Sequence, residues 1–154
     1  MSAPARDARG SGPRLILRTD GAARGNPGPS AAGVVVEDAH GRALVRKGIL
    51  LGRGTNNEAE YRALIAALEE AKGLGAREVE ARADSELLVR QIGGRYRVKA
   101  ANLKPLYAKV RALLASFERS TVRHVPREEN HEADRLANMA LDSCSDVDEP
   151  CLKA

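Results

Sequence analysis

Apolar residues along this chain are spaced in two ways, and the change of spacing separates a strand-rich first part from a mixed remainder. Apolar runs at 15–19, 32–37 and 43–51 are bounded by glycine, proline and aspartate, which favour turns. These runs predict three strands joined as hairpins. Across 57–74 the apolar positions instead recur every three or four residues, which predicts an amphipathic helix.

The remainder of the chain alternates between strand and helix patterns. Residues 77–83 alternate apolar with charged side chains, as expected for a half-buried strand. The clearest later helix follows Asn102, a candidate N-cap, and has Pro105 in its first turn, where a missing N–H costs nothing. The remaining predicted elements are helices at 85–92, 103–117 and 128–141 and a strand at 121–125.

This element order, β-β-β-α-β-α-α-β-α, predicts an α/β fold. We expect a five-stranded mixed sheet, whose first three strands form an antiparallel meander, with helices packed on it. In open sheets of this kind, binding sites form at the carboxyl ends of neighbouring parallel strands. Asp20 and Asp84 follow the first and fourth predicted strands, so we expect both carboxylates at that edge.

Length and charge predict one ordered domain at 14–141, preceded by a disordered arm at 1–13 and followed by an acidic, flexible tail at 142–154. The tail has a net charge of −3, which leaves +7 on the residues before it in a chain whose total is +4. A basic domain suits a polyanionic partner, although many domains have basic surfaces without one. Docking of the tail on the domain, or mimicry of nucleic acid over its basic surface, stays open.

The composition argues against several classes of protein. The chain has no apolar run long enough for a transmembrane helix, and the region after Met1 has no hydrophobic stretch typical of a signal peptide. Cytoplasmic residence without a membrane partner is the default expectation. Cys144 and Cys151 both lie in the tail, and with the three histidines they make no spacing typical of zinc sites.

Four acidic residues are placed where a cluster of carboxylates could form. Asp20 and Asp84 end predicted strands, while Glu60 and Asp134 lie in the first turn of the long helix and in the last helix. Hydrolysis of a phosphodiester needs charge neutralised on the phosphate and the leaving oxygen, which two divalent ions held by oxygen ligands can do. Each acid alone also has a structural explanation, such as an Asp-Gly turn or an acid at a helix start.

Four short motifs stand in order along 15–141. They are Thr19-Asp20-Gly21 with Gly25-Asn26-Pro27-Gly28, Thr55-Asn56-Asn57-x-x-Glu60, Asp84-Ser85 after a strand, and Asn130-x-x-x-Asp134-x-x-Ala137. In this order and at these separations they resemble the motifs of the type 1 ribonuclease H family. One such match would be weak evidence, but four in order are strong evidence.

The resemblance implies an endonuclease that hydrolyses the RNA strand of RNA–DNA hybrids and leaves 5′-phosphate and 3′-hydroxyl ends. The implied catalytic and metal-binding residues, which would hold two Mg²⁺ ions or Mn²⁺ as a substitute, are Asp20, Glu60, Asp84 and Asp134. Glu60 is preferred to Glu58 because the family's glutamate is the third residue after the Asn-Asn pair, and Glu58 is expected to be exposed. The implied substrate-binding residues are Gly21, Asn26, Thr55, Asn56 and Asn57.

Among these, the resemblance implies that Asn26 and Asn57 lie near the 2′-hydroxyls of the RNA strand. It implies that Thr55 and Asn56 hold a DNA phosphate, although Asn56 fits equally well as a turn or N-cap residue. The hybrid is the expected partner of a monomeric protein, and double-stranded RNA is a further candidate substrate because its shape is similar.

The chain departs from many family members in two places. Where relatives have a histidine in the loop before the last helix, Arg127 stands here and is expected to attract the departing phosphate. His124 is the alternative for this role, but it falls in a predicted strand. The basic protrusion of some members is absent, and a reduced substitute could be formed by Arg95, Tyr96, Arg97 and Lys99.

Two other functions stay open from the sequence. A hybrid-binding module without catalysis would be favoured by a missing carboxylate, and none of the four is missing. A resolvase-like or transposase-like nuclease on the same architecture would usually need further segments, for which 154 residues leave little room.

Overall fold

The computed structural model describes residues 12–151, in which a six-stranded sheet carries four α-helices. The strands are β1 (Arg14–Ala23), β2 (Gly28–Glu37), β3 (Ala43–Gly54), β4 (Glu78–Ala83), β5 (Arg119–His124) and β6 (Val147–Asp148). The helices are α1 (Asn56–Gly73), α2 (Glu86–Ile92), α3 (Lys104–Ala115) and α4 (His131–Ser143). Within this part of the chain no helix is both long enough and apolar enough to cross a membrane. Of the predicted arm, residues 1–11 lie outside the described residues.

The sheet has the order β5-β4-β1-β2-β3-β6, with an antiparallel β1–β3 meander and with β4 and β5 parallel to β1. This confirms the predicted α/β fold with a mixed sheet. The prediction that β1 ends before Asp20 is wrong, because β1 stays paired with β2 as far as Ala23. The pairing of β1 with β4 stops earlier, at Thr19 and Ala83. Asp20 and Asp84 follow directly, where the two parallel strands separate.

The larger core lies between the sheet and α1. Leu64 and Leu68 of α1 are fully buried in one cluster with Leu15 and Leu17 of β1. Burial of each such side chain contributes about 1.5–3 kcal/mol relative to exposure. Because Glu60 precedes Leu64 by one helical turn, this packing fixes the height of Glu60 above the sheet.

Helix α4 packs on the opposite face of the sheet through small residues. Side chains alternate along β2, so Val34 enters the α1 core while Gly33 faces α4. A Cβ on Gly33 would lie 1.7 Å from the carbonyl oxygen of Ala133, and one on Gly48 would lie 2.2 Å from that of Leu136. The backbone of α4 therefore lies directly on the sheet, which fixes the position of the residue after Ala133, Asp134.

The C-terminal segment differs from the predicted flexible tail. Helix α4 continues to Ser143, and β6 then pairs with β3 as a sixth strand. The carboxylate of Asp146 accepts a hydrogen bond from the backbone N–H of Leu50, and Glu149 forms an ion pair with Arg135. The prediction of five strands is one too few, because a two-residue strand has no apolar periodicity.

Two predicted helix starts also shift. Helix α3 begins at Lys104 with Leu103 in the N-cap position, so Asn102 is not its cap. The side chain of Asn102 instead lies near Glu58 and contributes to the lowered pKa of its carboxyl. The last helix does not begin at 128, because a 3-10 turn at Arg127–Glu129 precedes α4.

Candidate metal centre and its surroundings

Carboxylates from several helices and strands meet at the point where the parallel strands β1 and β4 diverge. One oxygen each of Asp20 on β1, Glu60 on α1 and Asp84 after β4 lies within 4.8 Å of the others. Asp20 is only 6% exposed, and Glu60 and Asp84 are partly buried. Asp134 on α4 is within hydrogen-bonding reach of the Asp20 carboxyl. All four acids named from the sequence thus lie at one place.

Glu60 is held at this centre by the backbone of β1. The N–H of Gly21 donates a hydrogen bond to Oε1 of Glu60 at 2.8 Å. The strand and the helix approach so closely here that a Cβ on Gly21 would lie 2.2 Å from the carbonyl carbon of Ala59. Gly21 is therefore needed for the strand to reach the carboxylate.

Glu58 caps α1 instead of joining the centre. The Thr55 hydroxyl accepts the N–H of Glu58, and the Glu58 carboxylate accepts the N–H of Thr55 at 2.9 Å, which forms a capping box. This bond from Thr55 lowers the pKa of the Glu58 carboxyl. The expectation that Glu58 is exposed is wrong, because the capping box folds its side chain against the helix and leaves it half-buried.

Two asparagines near Asp134 tie α4 to the centre. Asn130 is 1% exposed and donates a hydrogen bond to the carbonyl oxygen of Thr19 at 2.8 Å, just before Asp20. Asn138 donates to the carbonyl oxygen and to Oδ1 of Asp134 at 3.0 and 3.3 Å. No role was predicted for Asn130, and Asn138 was not predicted at all. Their spacing of four residues on either side of Asp134, one helical turn, was the available signal.

Burial and mutual repulsion favour bound protons at the centre. Burial raises the pKa of Asp20 far above its usual range, and the charges of Glu60 and Asp84 raise it further. Burial is also the main cause that raises the pKa of Glu60 to about 8, against the opposing hydrogen bond from Gly21. A cation among these oxygens would relieve the repulsion and displace the protons.

The chemistry of the ligands fits a hard divalent cation. The clustered ligand atoms are all carboxylate oxygens, which Mg²⁺, Mn²⁺ and Ca²⁺ prefer. A softer ion such as zinc is usually bound by cysteine or histidine, and neither belongs to this cluster of described residues. The centre is thus a candidate divalent-cation site.

Of the substrate-binding residues named from the sequence, Gly21 lies in β1, and the others lie in the β1–β2 loop and at the start of α1. The side-chain oxygen of Asn26 accepts the N–H of Asn56 at 3.1 Å, and that of Asn56 accepts the N–H of Ala23 at 3.1 Å. These reciprocal bonds fix the loop to the helix. Thr55 is the N-cap of α1, and Asn57 is exposed in its first turn. The N-cap alternative for Asn56 is therefore wrong, since Asn56 is the first helical residue.

His124 lies at the end of β5, beside the strand that leads to Asp84, and Arg127 lies between β5 and α4. His124 is the last residue of β5, as its strand pattern predicts, and pairs with Ala83, the residue before Asp84. Arg127 stands in the 3-10 turn before α4. Both side chains are exposed, so either can be reached by a large ligand.

The connector between α2 and α3 forms a basic groove. Its volume is about 610 Å³, and the residues that line it include Arg95, Tyr96, Arg97, Lys104 and Tyr107. The guanidinium of Arg90 stacks over the Tyr96 ring at 5.2 Å and so fixes this aromatic side chain. Charged and aromatic groups in one groove suit a nucleic-acid backbone with its bases.

Comparison with known proteins matches residues 18–140 to the family model described as Reverse transcriptase-like. The chain is 44% identical over 131 residues to Ribonuclease HI of Halobacterium salinarum, which covers 85% of this chain and 66% of that protein. It is 45% identical over 133 residues to the bifunctional protein Rv2228c of Mycobacterium tuberculosis, which covers 86% of this chain and 36% of that protein. The chain thus spans about a third of the length of the first curated relatives that it matches.

Solved structures show the same fold. The crystal structure of RNase H1 from Halobacterium salinarum NRC-1 has a TM-score of 0.83 at 44% identity, covering 84% of this chain and 98% of that chain. The crystal structure of LC11-RNase H1 in complex with RNA/DNA hybrid has a TM-score of 0.80 at 44% identity, with the same coverage of 84% and 98%.

Proposed function

The chain belongs to the type 1 ribonuclease H family, and from this premise we propose that it is an endonuclease that hydrolyses the RNA strand of RNA–DNA hybrids. The observation that carries the proposal is the meeting of Asp20, Glu60 and Asp84, with Asp134 in reach, at the edge of the sheet. The relative LC11-RNase H1 supports the substrate, because its structure contains an RNA/DNA hybrid.

The four carboxylates would hold two Mg²⁺ ions, with Mn²⁺ as a substitute. When bound, such ions activate water and neutralise charge on the scissile phosphate and the leaving oxygen. Asp20 is the most buried member and is close to each of the other three, so it would be the central ligand of the group. Cleavage would leave 5′-phosphate and 3′-hydroxyl ends.

The residues of the chain prepare this site before substrate arrives. Gly21 holds one oxygen of Glu60, which leaves the other oxygen free to bind a cation. Asn138 orients the carboxylate of Asp134, and Asn130 fixes the backbone just before Asp20. Held ligands of this kind lose little conformational entropy when they bind, which favours both cation binding and alignment of the phosphate.

Recognition of the hybrid would use both strands. Asn26 and Asn57 would contact RNA 2′-hydroxyls, the groups that distinguish RNA from DNA. Gly21 would lie against the RNA backbone, while Thr55 and Asn56 at the start of α1 would hold a DNA phosphate. The basic groove at Arg95, Tyr96 and Arg97, near Lys99, would replace part of the missing protrusion.

Arg127 would attract the phosphate of the departing product. Its exposed position on a short turn next to α4 gives its guanidinium freedom to follow that phosphate. His124 is the alternative, but its backbone is fixed by pairing with β4. Replacement of each by alanine and measurement of product release would distinguish them.

The proposal is tested with duplexes of one sequence: a hybrid labelled on RNA, the same hybrid labelled on DNA, duplex DNA and duplex RNA. Each is incubated with Mg²⁺, Mn²⁺ or a chelator. We expect cleavage of the RNA strand of the hybrid, with either metal and not with chelator. Cleavage of duplex DNA would support a resolvase-like nuclease instead. Tight hybrid binding without cleavage would support a binding module, and cleavage of duplex RNA would widen the substrate range.

A further inference from the structure

Arg24 lies in the β1–β2 loop, four residues after Asp20 and two before Asn26. Its backbone N–H donates to the carbonyl oxygen of Pro29 at 2.8 Å, across the loop. The loop is also fixed to α1 by the reciprocal bonds between Asn26, Asn56 and Ala23. The backbone of Arg24 is therefore held in place.

The Arg24 side chain reaches across to α4. Its Nη2 lies 2.6 Å from Oδ1 of Asp142 and 3.4 Å from Oδ1 of Asn138. Asp134, Asn138 and Asp142 are spaced by four residues and so lie along one face of α4. Since Asn138 also bonds to Asp134, a single side chain separates the Arg24 guanidinium from the carboxylates of the centre.

Only one nitrogen of this guanidinium is used. Among the described residues, Nε and Nη1 of Arg24 have no hydrogen-bond partner, and the side chain is 48% exposed. Asp142 is 68% exposed, so the ion pair itself adds little stability, of the order of 0–1 kcal/mol for a surface pair. Its effect is to orient the guanidinium, which keeps Nε–H and the N–H groups of Nη1 as free donors on its two edges. Each of these charged donors can make a hydrogen bond to a phosphate oxygen.

We infer that Arg24 binds a phosphate of the RNA strand next to the scissile one, with Asp142 as the acceptor that orients it. The inference rests on the proposed function, because it needs the RNA strand to cross the carboxylate centre. An RNA strand held at that centre and at Asn26 must pass the intervening loop, where Arg24 projects. The contact is made to the backbone, so it adds affinity at any sequence.

The test is the salt dependence of hybrid binding for four proteins: wild type, Arg24→Ala, Asp142→Asn and Arg42→Ala. Binding is measured in Ca²⁺, with gels showing that the RNA stays intact. Loss of one phosphate contact lowers the slope of log K against log salt by about 0.9. We expect this lower slope, and about tenfold weaker binding at low salt, for Arg24→Ala. Arg42→Ala removes the same charge at the far end of the sheet, in the β2–β3 turn, and should keep the wild-type slope.

Asp142→Asn separates phosphate binding from a structural role. If Arg24 only clamps the loop to α4 through its ion pair, removal of the Asp142 charge must reproduce the loss seen in Arg24→Ala. If Arg24 binds phosphate, Asp142→Asn keeps the wild-type slope, because its amide oxygen can still accept from Nη2 and orient the guanidinium, and Arg24→Lys restores most of the slope lost in Arg24→Ala. In steady-state cleavage, Arg24→Ala should raise KM about tenfold and change kcat by less than about twofold, because the contact is equal in ground and transition states.

A wild-type slope for Arg24→Ala, or equal losses for Arg24→Ala and Asp142→Asn, would overturn the inference. Neither result would affect the proposed function, which fails only if the wild-type protein does not cut the hybrid.

Discussion

The backbone N–H of Gly21 donates a hydrogen bond to Oε1 of Glu60 at 2.8 Å, and through this bond strand β1 and helix α1 meet at the carboxylate centre. Glu60 is partly buried, and a fixed donor keeps its carboxylate in one orientation. Gly21 supplies that donor from the residue after Asp20. This one backbone contact thereby sets the distance between the carboxylates of Asp20 and Glu60.

Gly21→Ala should therefore damage the centre without touching a carboxylate. The new Cβ would lie 2.2–2.4 Å from backbone atoms of Ala59 and Glu60, so α1 must move away from β1. We expect a loss of about 1–3 kcal/mol in the free energy of unfolding from overpacking, and cation binding weakened at least tenfold by calorimetry. Gly73→Ala is the control, because a Cβ there meets no atom within 4 Å. Wild-type cation affinity in Gly21→Ala would contradict the account.

Asp20→Asn should stabilise the cation-free protein. Burial raises the pKa of Asp20 and Glu60 in the folded state. Groups with raised pKa lower the free energy of unfolding as pH rises from their usual value of about 4 to the raised value. In chelator, the wild-type protein should therefore lose stability from about pH 4 to about pH 9, and Asp20→Asn should lose less.

At pH 8 we expect Asp20→Asn to exceed wild type by about 1–3 kcal/mol in the free energy of unfolding. Added Mg²⁺ should raise the Tm of wild type and leave that of the variant nearly unchanged. Denaturant unfolding with chelator and thermal scans with Mg²⁺ check both expectations. A variant less stable than wild type in chelator at pH 8 would show that burial and the neighbouring carboxylates do not raise the pKa of Asp20 in the folded protein.

Removal of residues 145–154 should lower stability and spare catalysis. The segment caps the edge of β3, and Glu149 bridges Arg135 and Arg46. We expect a loss of about 1–3 kcal/mol from the ion pairs and the strand contact, with kcat within about twofold because Asp134 remains in α4. Asp148→Asn, an exposed change within β6, is the matched control.

The effect of this truncation should also depend on pH. The hydrogen bond from Arg135 lowers the pKa of Glu149 in the folded state, so its stabilisation is present above the usual glutamate pKa of about 4.3 and is lost as pH falls below it. The difference in stability between full-length and truncated protein should therefore shrink at pH 3. Equal stability of the two proteins at pH 7 would mean that the segment does not hold the sheet edge.

The sequence was sufficient for local structure and insufficient for long-range contacts. Periodicity predicted the β1–β3 meander and α1, because one face of each element is buried and repeats along the chain. The capping box of Thr55 and Glu58 also has a sequence signal, the Thr-x-x-Glu pattern. By contrast, Arg24 and Asp142 are 118 positions apart, and no local pattern shows that they meet.

The position of Asp20 inside β1 also depends on a contact between distant parts of the chain. Its strand extends past the Asp-Gly pair because β2 pairs with it there, while β4 does not. The family resemblance named the carboxylates, but only the fold shows which backbone groups hold them. The very short β6 was unpredictable because two residues carry no period.

The most direct test of the central claim compares two neighbouring glutamates in cleavage of an RNA–DNA hybrid labelled on the RNA strand. Glu60 lies in the carboxylate centre, and Glu58 caps the same helix one half-turn away. With Mg²⁺, we expect Glu60→Gln to lower kcat at least a thousandfold, because loss of one ligand of the ions removes roughly 4 kcal/mol or more of transition-state stabilisation. Glu58→Gln should keep near-wild-type kcat and stability, because the amide oxygen of glutamine can also accept the Thr55 N–H in the capping box. Wild-type cleavage by Glu60→Gln, or loss of cleavage in a folded Glu58→Gln, would contradict the assignment of the centre.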